Sequence, residues 1–213
     1  MKRITAPLIA LAFVIAANPA LADDGAHPDV SVAPQVGVNA PQPFGDLNSF
    51  AVVGLDAGYI LPFDLVTERP IEVGVGASYT RPGATGSGDH PMLGDDGRTY
   101  NWELQQRMLT LQFNARWRFM PPGQGLSAYA MLAPRLYLME SVMEASSDGH
   151  DFGENRETNS EYGVAIGGGA EYMLGPGALF GSVLVGGSPL DQRITGEANT
   201  GAFNIDVGYR LFF

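Results

Sequence analysis

The sequence predicts an all-β fold, a transmembrane up-and-down antiparallel β-barrel of eight strands. Three observations support this prediction. Apolar residues make up 45% of the chain and charged residues only 16%, whereas a soluble domain carries about a quarter charged residues. Beyond residue 22, no segment has the run of about 18 apolar residues that a transmembrane helix needs. Instead, segments of about ten residues alternate between apolar and polar or small side chains, which is typical of membrane barrels.

The first 22 residues have the features of a secretory signal peptide. A basic pair follows the first Met, an apolar run covers residues 4–17, and residues 20–22 read Ala-Leu-Ala, an A-x-A cleavage site. A membrane-anchoring helix is the alternative, but the run is too short for one. We therefore expect cleavage after residue 22 and a single barrel domain over residues 23–213, with strands from about residue 30.

Charge and cysteine content disfavour or exclude several classes of function. Residues 23–213 contain no Lys, and ten Arg stand against 23 acidic residues, which disfavours nucleic acid as a partner. The chain has no Cys, so disulfides, thiolate metal sites, a Cys nucleophile and a lipid-modified Cys anchor are excluded. These observations leave the periplasm, secretion or an outer-membrane barrel as destinations.

Residues 71–80 show the alternation most clearly. Ile71, Val73, Val75, Ala77 and Tyr79 are apolar, and the residues between them are small or polar. Because successive side chains of a strand point to opposite faces, one face of this strand is apolar. The full set of predicted strands is 30–40, 50–61, 71–80, 109–119, 126–141, 161–172, 178–187 and 203–213.

The connections between the strands predict the topology. Short breakers occupy residues 120–125 and 175–177, whereas long polar stretches occupy residues 82–101, 144–159 and 188–199. Bacterial barrels have short periplasmic turns and longer external loops. Counting back from a last strand that descends to the periplasm, every long stretch falls outside and residues 62–70 form a periplasmic turn. The even strand number agrees with this arrangement, although Pro34 is unusual within the first strand.

Charged residues of the strands fall largely on the polar face, which would line the lumen. Eight strands enclose an interior that side chains fill, so a water-filled diffusion pore is disfavoured. Buried charges have to be paired, and the inward residues supply four positive and four negative charges. We expect a salt-bridged plug, with a gated ion path as the alternative. The eight residues are Asp56, Glu72, Arg116, Arg118, Arg135, Glu171, Asp206 and Arg210.

Arg81 and Arg107 have the parity of outward residues on neighbouring strands. Their distance from the periplasmic ends places them at the outer rim of the hydrocarbon, where the cost of a lipid-facing charge falls to about 0–1 kcal/mol. Arginine forms bidentate bonds to phosphate. Both are therefore the best candidates in the sequence for contacting lipopolysaccharide head groups; simple snorkelling, or a bulge that turns one inward, is the alternative.

The terminal segment Tyr209-Arg210-Leu211-Phe212-Phe213, together with the signal peptide and the alternating strands, resembles the small eight-stranded outer-membrane barrels of the OmpA/OmpX type. The resemblance covers nearly all of residues 23–213 as a pattern. It implies that the aromatic last strand is read by the barrel-assembly machinery. By that resemblance Tyr209, Leu211 and Phe213 form the assembly signal.

The three histidines give little support for catalysis or metal binding. Lipid A deacylases of this shape use a His with a nearby Ser and an acid, as other hydrolase triads do. His27 lies near the start of the processed chain, and His90 and His150 lie in predicted loops, none with a strand-borne Ser two residues away. The acidic loops around His90 and His150 lack the spacing of a defined calcium loop. We expect no enzyme, no cofactor and no metal.

The sequence thus predicts a non-enzymatic barrel of the bacterial outer membrane with acidic external loops, serving envelope integrity or surface interaction. A narrow conduit for small or apolar solutes is the first alternative, and a lipid A-modifying enzyme is the second. The expected partners are outer-membrane lipids, lipopolysaccharide and the barrel-assembly machinery. Its oligomeric state is left open.

Overall fold

The computed structural model describes residues 30–41, 49–66, 69–89, 99–120, 125–147, 150–189 and 202–213. Within these ranges there are nine β-strands, and no helix is long and apolar enough to cross a membrane. The predicted signal peptide lies outside them and stays a prediction. The strands are β1 (Val30–Pro41), β2 (Phe50–Val66), β3 (Arg69–Thr80), β4 (Gly83–Asp89), β5 (Thr99–Arg118), β6 (Leu126–Ser147), β7 (His150–Leu174), β8 (Gly177–Gly187) and β9 (Ala202–Phe212).

The strands form one antiparallel sheet that closes into a ring. Consecutive strands pair with each other except β3 and β4, which both pair with β5, and β1 pairs with β9 in a register that sets Val36 opposite Val207. Beyond β9, the amide of Phe213 donates to the carbonyl of Val30 at 2.9 Å. The all-β barrel predicted from the sequence is therefore confirmed, and the segment containing Pro34 is its first strand.

Strands β3 and β4 are two parts of one barrel position. Thr80 pairs with Met108 and Gly83 pairs with Gln105, so the register on β5 continues unbroken across the gap. The ladder is interrupted because Pro82 has no N–H to donate, although its carbonyl accepts from the amide of Gln106 at 2.9 Å. The nine strands consequently fill eight positions in the ring, as the alternation predicts.

Two of the predicted external loops are wrong in extent. Residues 144–159 belong almost entirely to strands, since β6 continues to Ser147 and β7 begins at His150. Residues 83–89 of the other predicted loop form β4. Outside the membrane both faces of a sheet meet water, so the apolar alternation that marks a strand disappears while the hydrogen bonding continues. The third predicted loop, 188–199, lies largely outside the described residues.

The two faces of the wall differ as a membrane barrel requires. On β5, burial alternates with a period of two: Phe113 is 50% exposed on the outside, whereas Asn114 and Arg116 are buried inside. The same inversion holds on the other strands, where Val75 and Ile166 are exposed. In a membrane these apolar side chains lie against lipid acyl chains. Polar side chains fill the lumen together with apolar clusters such as Met131 with Leu184 and Met108 with Met139.

Candidate functional site

The lumen contains a connected network of buried charges with Glu72 at its centre. Arg116 donates from Nη2 to Asp56 Oδ2 at 2.6 Å and from Nη1 to Glu72 Oε1 at 2.7 Å. Arg118 pairs with Glu72 on one side and with Glu171 on the other. The Ser31 hydroxyl also donates to Glu72, at 2.9 Å. Glu72 therefore joins strands on different sides of the barrel.

Arg210 closes this network. Its Nη1 lies 3.0 Å from Glu171 Oε2 and 3.7 Å from Glu72 Oε2. Three guanidinium groups thus meet three carboxylates, and each of the six residues is at most 4% exposed. A buried charge persists only when it is paired and hydrogen-bonded. Every charge of this network is paired, whereas the Nε atoms of its three arginines and Arg210 Nη2 have no hydrogen-bond partner among the described residues. We call it the lumen ion-pair network: Asp56, Glu72, Arg116, Arg118, Glu171 and Arg210.

Local sequence features make room for the network. Glu72 and Arg116 are direct cross-strand partners on β3 and β5. A Cβ at Gly58 would collide with the Glu72 carboxylate, and one at Gly76 with the Asp56 carboxylate. Glycine at these two inward positions leaves the space that the acidic side chains occupy.

Aromatic rings, which the sequence analysis missed, flank the arginines. The guanidinium carbon of Arg210 lies 5.0 Å from the ring centre of Phe180 and 5.6 Å from that of Tyr129. Arg118 lies 5.7 Å from the ring centre of Phe212. Cations are attracted to aromatic faces at these distances. The available signal was the inward parity of these aromatic residues.

The remaining two predicted lumen residues, Arg135 and Asp206, lie apart from the ion-pair network. Arg135 donates from Nη1 to Asn204 Oδ1 at 3.2 Å, and no carboxylate within the described ranges is at salt-bridge distance from it. Arg135 Nε and Asp206 Oδ1 are buried without a hydrogen-bond partner among those residues. The structure therefore brings six of the eight predicted residues together, and among the described residues Arg135 and Asp206 form no ion pair.

The outward face at the external rim carries three arginines. The continuous register of β3 and β4 on β5 places Arg81 opposite Arg107. Arg81 Nη2 donates to the side-chain oxygen of Gln105, and Arg107 Nη1 lies 3.4 Å from Glu140 Oε2. Arg156 is the third arginine. Its hydrogen bond to Glu154, followed by the charge of Glu140, raises the pKa of Arg156 above its ordinary value.

Above this rim β5, β6 and β7 continue as a projecting sheet. Three glutamates on neighbouring strands form an acidic row across it. Glu103 on β5 pairs with Glu144 on β6, which in turn pairs with Glu154 on β7. Gln105 Nε2 donates to Glu103 at 2.7 Å, and Arg156 Nη2 lies 2.9 Å from Glu154. Directly opposed like charges destabilise a sheet, so this row lowers the stability of the sheet.

The structure corrects the position of His150 but does not assemble a hydrolase triad around it. His150 lies on β7 opposite Ser147, whereas the sequence analysis places it in a loop. The Ser147 hydroxyl donates to the Thr99 carbonyl at 3.0 Å. His27 and His90 lie outside the described residues. Within the described part of the chain, no group of three His, Cys, Asp or Glu residues could hold a metal ion.

The predicted assembly signal lies on β9 and just beyond it. Tyr209 and Leu211 have outward parity, Phe213 is 40% exposed, and the Tyr209 hydroxyl donates to the Leu174 carbonyl. Leu211 pairs with Val32 on β1 and with Gly177 on β8. These side chains thus border the seam between the first and last strands.

Comparison with solved structures gives several matches at low sequence identity. A major outer membrane protein from Thermus thermophilus matches with a TM-score of 0.52 and 12% identity, over 86% of this chain and 99% of that one. The N-terminal barrel domain of Pseudomonas aeruginosa OprF gives a TM-score of 0.40 and 16% identity, over 86% and 97%. Ail, the attachment invasion locus protein of Yersinia pestis, gives 0.41 and 14%, over 87% and 100%. The sequence has no significant match among curated proteins.

The family assignment agrees with the closed sheet, its apolar outer face and its charged lumen. Residues 6–210 match the model of the outer membrane protein beta-barrel domain, which is most of the chain. The protein is accordingly located in the bacterial outer membrane. The chain belongs to the outer membrane protein β-barrel family.

Proposed function

We propose that this outer-membrane barrel is a non-enzymatic envelope protein with a closed lumen, which presents its projecting sheet for surface interaction. The observation that supports this best is the lumen ion-pair network. It links side chains of β2, β3, β5, β7 and β9 across the interior. A passage for ions would require these pairs to separate, and separating a buried ion pair leaves charges without partners.

The projecting sheet supports the second half of the proposal. Strand β7 pairs with β6 as far as His150, whereas β8 pairs with it only up to Val164. Within the described ranges, the part of β7 above Val164 therefore has a strand neighbour on one side only. The outward face of the projecting sheet carries the acidic row. Such a surface is suited to a partner with basic groups, because charge complementarity speeds encounter and sets specificity.

Conductance and envelope assays test the two halves separately. The purified barrel in planar bilayers should show no steady single-channel steps; regular steps would contradict a closed lumen. Deleting the gene should raise sensitivity to detergents, and the wild-type gene should restore resistance. The triple variant Glu103→Gln, Glu144→Gln, Glu154→Gln should restore resistance but bind less of a basic probe, polylysine, to whole cells. Wild-type polylysine binding by this variant would contradict a role for the acidic row.

A groove in the lipid-facing wall favours a second candidate, a conduit for apolar solutes. The groove has a volume of about 650 Å³ and is lined by outward Leu111, Phe113 and Pro134 and by lumen-facing Gln112 and Arg135. The ladder between β5 and β6 is interrupted at Pro134, because Pro lacks the N–H that its partner needs. Uptake of an apolar tracer into proteoliposomes that show no ion conductance would favour this candidate.

Lipid A chemistry is tested independently. Because the hydroxyl of Ser147, the residue opposite His150, bonds to the Thr99 carbonyl, we expect the mass spectrum of lipid A to be unchanged when the gene is deleted. A shift in mass equal to one acyl chain would establish an enzyme.

A further inference from the structure

We propose that Arg81 and Arg107 form a binding site for the phosphate of an outer-leaflet lipid head group. The two residues face outward, and the register sets them directly opposite each other on neighbouring strands. Like charges in this position repel, so their juxtaposition lowers stability unless an anion lies between them. Gln105, which accepts a hydrogen bond from Arg81, adds an uncharged amide beside the pair.

The distribution of acidic partners leaves this pair electropositive. Arg156 is satisfied by two carboxylates, Glu140 at 2.7 Å and Glu154 at 2.9 Å. Glu140 is shared, and its contact with Arg107 is the longer one at 3.4 Å. Within the part of the chain that the structure describes, no carboxylate lies at salt-bridge distance from Arg81. The positive charge is therefore concentrated at Arg81 and continues onto Arg107.

The depth of the pair identifies the source of the phosphate. Below it the outward series is uncharged on both strands, from Tyr79 to Ile71 on β3 and from Leu109 to Trp117 on β5. Above it the outward residues are polar or small, with Gly83 and Gln105 next in register, followed by Thr85 and Glu103. The arginines therefore lie at the boundary between the apolar band and the polar exterior. Phosphates of the outer-leaflet lipids lie at this level, which favours a lipid head group over a soluble anion.

The chemistry of the site suits phosphate. A guanidinium presents a planar fork of donors that matches two phosphate oxygens. Two opposed forks supply donors from both sides, and the exposed arginine side chains lose little hydration when a head group binds at the surface. Binding would also relieve the repulsion between the two arginines. No proton or covalent transfer is involved.

The test uses the folded barrel in a neutral detergent with two probes, diphosphorylated lipid A and the same lipid A freed of phosphate. Wild type should bind the phosphorylated form more tightly, and high salt should reduce the difference. Arg81→Gln and Arg107→Gln should each weaken binding by about tenfold or more, as expected for lost hydrogen bonds to a charged group. Arg156→Lys is the control on the same face: it keeps the positive charge beside Glu140 and should bind as wild type does.

Glu140→Gln supplies a second, opposite readout. Removing this carboxylate frees Arg107, so affinity for the phosphorylated probe should rise severalfold while binding of the dephosphorylated probe stays unchanged. The heat-induced shift in gel mobility checks that each variant folds. If an arginine variant fails to fold, the Glu140→Gln measurement alone tests the proposal. Unchanged binding in both arginine variants, or no gain with Glu140→Gln, would overturn the proposal. Displacement of lipid A by an equal concentration of inorganic phosphate would overturn the assignment to a lipid. None of these results bears on channel conductance or polylysine binding.

Discussion

At the scale of single residues, one carboxylate makes most of the contacts in the lumen ion-pair network. Glu72 contacts Arg116, Arg118 and Arg210, and it also accepts a hydrogen bond from Ser31. The other two acids of the network contact fewer arginines, Asp56 one and Glu171 two. The loss of Glu72 would therefore leave the largest excess of buried positive charge.

Glu72→Gln tests this ranking. Removing one partner of a buried ion pair costs about 3–5 kcal/mol, and we expect the free energy of unfolding in detergent to fall by about that amount. Urea denaturation followed by the gel mobility shift measures it. Glu154→Gln, an exposed partner of Arg156, is the control and should leave the midpoint unchanged. Equal midpoints for the two variants would contradict a network centred on Glu72.

The inward glycines give a second residue-scale prediction. A side chain at Gly76 would occupy the space of the Asp56 carboxylate, whereas the space beside outward Gly181 is open, with its nearest atom at 3.9 Å. Gly76→Val should therefore destabilise the barrel by about 1–3 kcal/mol through overpacking. Gly181→Val should be neutral or slightly stabilising, because valine favours strands. The same denaturation assay compares them, and the reverse order would show that the lumen has spare room.

At the scale of elements, β3 and β4 are separated because Pro82 lacks the N–H that would continue the ladder with β5. Replacing Pro82 by Ala supplies an amide that can reach Gln106, with which Pro82 already shares one hydrogen bond. We expect this new amide to exchange with solvent as slowly as its strand neighbours, because the register is continuous. Hydrogen exchange followed by NMR measures it. Rapid exchange at residue 82 alone would show that the strands separate there.

The seam between β1 and β9 yields another prediction at this scale. Phe213 exchanges backbone hydrogen bonds with Val30, at 2.9 Å and 3.3 Å, and it belongs to the expected assembly signal. Phe213→Asp should sharply reduce the amount of heat-modifiable barrel in the outer membrane. Phe152→Asp, at an exposed position of the projecting part of β7, is the control and should assemble normally. Normal assembly of Phe213→Asp would contradict the assembly signal.

The elements also show where sequence information ends. Alternation located the eight barrel positions, their faces and the closing pair, because lipid and lumen impose opposite demands on successive residues. It could not give the length of β7, since His150 to Asn159 meet water on both faces. It placed Arg135 and Asp206 in the lumen but did not anticipate that Arg135 would bond Asn204. Partner choice inside a barrel depends on the stagger between strands, which parity alone does not specify.

At the scale of the whole molecule, charge is sorted by environment. The lumen ion-pair network is neutral, the middle of the outer face is uncharged on β3 and β5, and the projecting sheet bears the acidic row. Six of the eight inward charges pair with one another and the external charges meet water, whereas an outward charge at the membrane midplane would cost about 2–4 kcal/mol. The excess of acid over arginine in the chain is compatible with a barrel because much of it lies outside the membrane.

The hydrogen bonds between Val30 and Phe213 make the seam equivalent to any other pair of neighbouring strands. The chain could therefore be circularly permuted: residue 213 joined to residue 30 by a short linker, with new ends opened in the tight turn at Gly175, whose φ of 65° marks it as a turn position. Termini that lie close together are what permutation requires. Every pairing of the parent would remain available, but Tyr209, Leu211 and Phe213 would become internal. Such a permutant separates geometric closure from recognition by the export pathway, because refolding in detergent would test the first and membrane insertion in cells the second.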